Sequence, residues 1–183
     1  GEMVDWLVKY TEDNGLNLPK LINDDYFLAI KLTFNAGHYV SSMKLLLSCI
    51  DSLSYVEHGN VNNPNQFIRW MDTYCDLSMI EITSAELWEL RNGLLHMTNT
   101  NSNKVIKNKI RRLSFSIGNK SGSKTNGLND TYFFEFGDLI FCISEAISKW
   151  IASYNTDRGK FPKFVERYDQ TISDSRVAIR VNT

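Results

Sequence analysis

Cysteine is the first shortage that matters. The chain holds three, Cys49, Cys75 and Cys142, far apart and in separate apolar segments. An odd number at such spacing argues against a disulfide frame or a zinc site, and predicts reduced, buried thiols in a cytosolic protein. A surplus of either charge is missing too, since the formal net charge is −1. That balance argues against a protein living by non-specific grip on polyanions, and it leaves room for a local basic cleft. No apolar run is long enough to span a membrane and no signal peptide is visible, so the expected location is cytoplasmic, with no membrane partner. Gly1-Glu2 ahead of Met3 reads as a cloning remnant. Residues 118–129 are rich in Gly, Ser, Asn and Lys but lack the Gly-Lys-Ser/Thr ending of a phosphate loop. Internal repeats and a sharp domain boundary are also lacking.

What is present describes an ordinary globular chain. With 43% hydrophobic and 22% charged residues, disorder throughout is not expected. A length of 183 residues suits one domain with a sizeable core. The expectation is a single all-α domain over 1–183, with core helices over about 20–156 and residues 157–183 as an appendage.

In order, residues 3–10 predict a short amphipathic helix with Val4, Leu7 and Val8 on one side, broken by Glu12 to Gly15. Pro19 marks the next start, and Asp24-Asp25 open a helical run through Tyr26, Phe27, Ile30, Leu32 and Phe34 up to a bend at Ala36-Gly37. Residues 38–57 carry the strongest stripe: Val40, Met43, Leu46, Leu47, Ile50, Leu53 and Ser54. His58 follows, placed to cap the C-terminal end. Asn63-Pro64 with Gln66 reads as a helix start, leading through Phe67, Ile68, Trp70, Met71 and Tyr74 to about Asp76. The aromatic residues there read as core; base stacking by Trp70 or Tyr74 is the other reading. Residues 112–117 and 131–136 alternate like strands and predict a small β-hairpin insertion near residues 110–136. Leu139, Ile140, Ile143, Ile147, Trp150 and Ile151 then supply another helical stripe. A last short helix follows over 161–168, and 177–181 reads either as a third strand or as a frayed tail.

The stretch that stands apart is residues 83–96. Thr83 can cap a helix, and Glu86, three residues on, can complete a capping box. Leu87, Leu90, Leu94 and Met97 then form one apolar stripe. At about 100° per residue, Arg91, Asn92 and His96 fall on the other side, with Trp88 and Leu95 between them. Asn92 and His96 are four apart, so the amide can orient the imidazole. Arg91 and His96 point about 140° apart on a regular helix and sit about 7.5 Å apart along its axis. Two arrangements would bring them onto one phosphate. One is a helix end that leaves regular geometry; the other is two copies packed across a symmetric dimer, with Trp88 and Leu95 to bury.

Arg91-Asn92-x-x-x-His96 resembles the Arg-x4–6-His signature of HEPN domains, including the polar residue often found directly after the arginine. The setting is similar as well: a short helical domain with the motif near the end of a late core helix. The resemblance implies a HEPN-like helical bundle and a metal-independent endoribonuclease, needing no cofactor or metal and active as a homodimer through the Arg91–His96 helix. It also implies a toxin or antiviral defence effector that acts on RNA, with an antitoxin or other effector subunit as a further partner. His96 would then transfer the proton, Arg91 would hold the phosphate charge, and Asn92 would set the ring or bind phosphate. No acidic metal cluster or Cys/His ligand spacing competes with this in the sequence.

Supporting residues are read around the motif. Asp51 is either a surface carboxylate or a salt-bridge partner fixing the Arg91 fork. Residues 97–103 read as a loop, where Thr98 and Asn99 stand ready to touch an RNA backbone. Lys104, Lys107, Lys109, Arg111 and Arg112 are either a solvated charged face or a phosphate-guiding rim. The competing reading of the whole is a non-catalytic helical dimerisation or binding module of a larger defence or toxin-antitoxin complex. In it, the Arg-Asn-His face is an interface polar cluster.

Overall fold

Most of the chain is helical, as the periodicity predicts. The computed structural model describes residues 2–13, 15–96, 110–124 and 131–181, without the side chains of 2–5, 123–124 and 173–181. The chain divides into two compact units, residues 1–66 with 150–183, and residues 67–149.

The first unit opens with α1 (Glu2–Tyr10) and a two-residue antiparallel pair, β1 (Thr11–Glu12) and β2 (Gly15–Leu16). Asn17 caps α2 (Leu18–Ile22) by accepting from the Lys20 N–H, with Pro19 in the first turn where its missing N–H costs nothing. A π turn (Asn23–Phe27) leads into α3 (Leu28–Asn35). Gly37, at φ 82°, makes the bend before α4 (Tyr39–His58). The last turns of α7 (Phe136–Thr156), from Trp150 on, and α8 (Lys160–Val181) complete the unit. Its core is Leu21, Ile30, Met43, Leu46, Leu47, Ile50 and Leu53, with Trp150, Phe164 and Tyr168.

Three expectations change here. α1 buries Trp6 and Tyr10, while Val8 is 64% exposed; two aromatic rings outweigh a valine in apolar area. Val40, in the first turn of α4, is exposed as well. Residues 177–181 belong to α8, neither strand nor loose tail, and Phe164 and Tyr168 bring that helix into the core. His58 lies in the last turn of α4, whose carbonyls at Val56 and Glu57 are bound by Arg167 Nη1, each at 3.0 Å.

The second unit contains most of α5 (Gln66–Tyr74), a short 3₁₀ turn (Ser78–Ile80), α6 (Ser84–Leu95), a sheet, and α7 up to Lys149. α5 starts two residues after Pro64; Asn63 sits at φ 51°, outside a helix-capping conformation, and Gln66 Oε1 receives the Val61 N–H. The sheet has three strands in the order β3 (Arg112–Ser116), β5 (Thr131–Glu135), β4 (Gly122–Lys124). β3 and β5 pair in parallel, Arg112 against Thr131, and β4 runs antiparallel to β5. The simple hairpin is therefore corrected. Alternation fixes which face of a strand is buried, not the direction in which it runs. Phe67, Trp70, Ile80, Leu87, Phe134, Phe136, Leu139 and Ile143 form the core of this unit, which settles Trp70 as a core residue. Among the described residues, no helix is long and apolar enough to cross a membrane.

Candidate functional site

The site is carried by α6, and α6 is fixed at its start. Thr83 Oγ1 accepts from the Glu86 N–H at 3.1 Å, and Glu86 Oε1 accepts from the Thr83 N–H at 2.9 Å, closing the expected capping box. Glu86 is nevertheless a buried residue, and its second oxygen receives Arg111 Nε at 2.7 Å. Arg111 Nη2 also donates to the Glu81 carbonyl at 2.7 Å, and its guanidinium lies 4.0 Å from the Tyr132 ring centre. Glu81 itself is left-handed, at φ 55°. Leu87 and Leu90 turn the apolar stripe inward, as predicted, while Leu94 is half-buried and Met97 lies outside the described residues.

At the other end the helix stops at Leu95. His96 is the C-cap, at φ −96° and ψ 15°, and its N–H still donates to the Asn92 carbonyl at 3.3 Å. Its ring meets the long Arg91 side chain: Arg91 Nη1 lies 2.9 Å from His96 Nε2 and 3.0 Å from Asn92 Oδ1. The two side chains therefore meet within one chain, at the end of α6. An arginine nitrogen only donates, so in this contact Nε2 is the acceptor. Asn92 holds the guanidinium with its amide oxygen. Arg91 and Asn92 are half-buried and His96 is exposed.

The indole of Trp88, one turn before Arg91, lies beneath the guanidinium, 4.7 Å from ring centre to Cζ, and packs against Phe67 at 5.3 Å. Sequence reasoning had Trp88 only as apolar surface for a second copy. The signal for its contact with Arg91 was the three-residue spacing, which puts two side chains on one helix face. The Arg111–Glu86 pair had no sequence signal at all.

Asp51 is on α4 in the first unit and half-buried. Thr98, Asn99, Lys104, Lys107 and Lys109 lie outside the described residues. Of the basic run, Arg111 is engaged by Glu86, and Arg112 opens β3 half-buried. All three cysteines are free thiols; Cys49 and Cys142 are buried and Cys75 is half-buried. Burial pushes the Cys75 thiol up to about 12, which keeps it protonated and unreactive at neutral pH. Compared with protein-family models, curated proteins and solved structures, the chain gives no match.

Proposed function

We propose that the chain is a metal-independent endoribonuclease of HEPN type, built on Arg91, Asn92 and His96, and that it works as a toxin or antiviral effector. The observation that carries the reading is the 2.9 Å contact between an always-charged guanidinium and the Nε2 of an exposed histidine. A ribose 2′-hydroxyl within reach of Nε2 gives up its proton there while its oxygen attacks the adjacent phosphorus. The 5′-oxygen departs and takes that proton back from Nε2, leaving a 2′,3′-cyclic phosphate and a 5′-hydroxyl. Arg91 turns from the imidazole to the phosphate as negative charge builds on the phosphorane, still seated on Trp88 and held by Asn92. The resemblance adds a homodimer in which two such helix ends face one cleft.

The test uses purified protein and RNA in the presence of chelator. Cyclic-phosphate ends are expected, and His96→Ala lowers their yield by about a hundredfold or more. Chelator-sensitive cleavage, or full cleavage by His96→Ala, would sink the reading.

One observation favours the second reading, a non-catalytic dimerisation or binding module. Arg91, Asn92 and His96 already bond to one another, as a polar cluster at an interface does. Growth arrest on inducing the wild type but not Arg91→Ala supports catalysis; equal tolerance of both supports the module.

A further inference from the structure

We draw no further inference here: the strongest candidate, the outward face of α3 on which Leu28 and Leu32 stand 48% and 61% exposed, is an exposed apolar surface, and nothing in the structure shows what covers it.

Discussion

The two ends of α6 each hold an arginine, and they hold it differently. At the start, Arg111 meets the carboxylate of a buried glutamate, a left-handed backbone carbonyl and a tyrosine face. At the finish, Arg91 gives Nη1 to two neutral acceptors, an amide oxygen and an imidazole nitrogen, over an indole. A carboxylate partner cancels the charge it holds and fixes structure. The amide oxygen and the imidazole nitrogen are neutral acceptors that orient the guanidinium at the end of the helix.

The sharpest way to break this comparison is to remove each arginine in turn. Arg91→Ala is expected to lower RNA cleavage by about a hundredfold or more, with a thermal midpoint close to wild type. Arg111→Ala is expected to lower the midpoint and leave cleavage per folded molecule within about twofold. Equal loss of cleavage from both would place the two arginines in one site and end the distinction. A smaller effect, on stability alone, comes from Glu86→Gln. It weakens the cap and leaves Arg111 facing a neutral amide, costing about 2 kcal/mol in urea unfolding once the partial exposure of Arg111 is allowed for. Pairing it with Arg111→Ala in a double-mutant cycle should reveal coupling of about 1 kcal/mol; strict additivity would show that the pair is idle. The smallest change is Trp88→Leu, expected to cut cleavage about fivefold by loosening the guanidinium, with Trp88→Phe restoring part of it. A fivefold loss that Phe does not relieve assigns Trp88 to packing on Phe67 alone.

Much of this was legible beforehand, and the rest was hidden for physical reasons. The capping box at Thr83 and Glu86, the α4 stripe and the α7 stripe are local patterns, and local patterns survive folding. The faces of β3 and β5 were legible from alternation, whereas their parallel pairing is a long-range property that alternation does not carry. Arg111 meets Glu86 across 25 positions, so only the fold introduces them. Val8 and Trp6 illustrate a different failure: periodicity marks two candidate faces of α1, and the larger aromatic area decides between them.

The stopping point of α6 has one more consequence. Because the His96 N–H is still bonded to the Asn92 carbonyl, its Cα keeps the helical spacing from Arg91, and the side-chain torsions of the two residues close the 2.9 Å contact. One residue added or removed between them would swing one side chain by about 100° about the axis and part the pair.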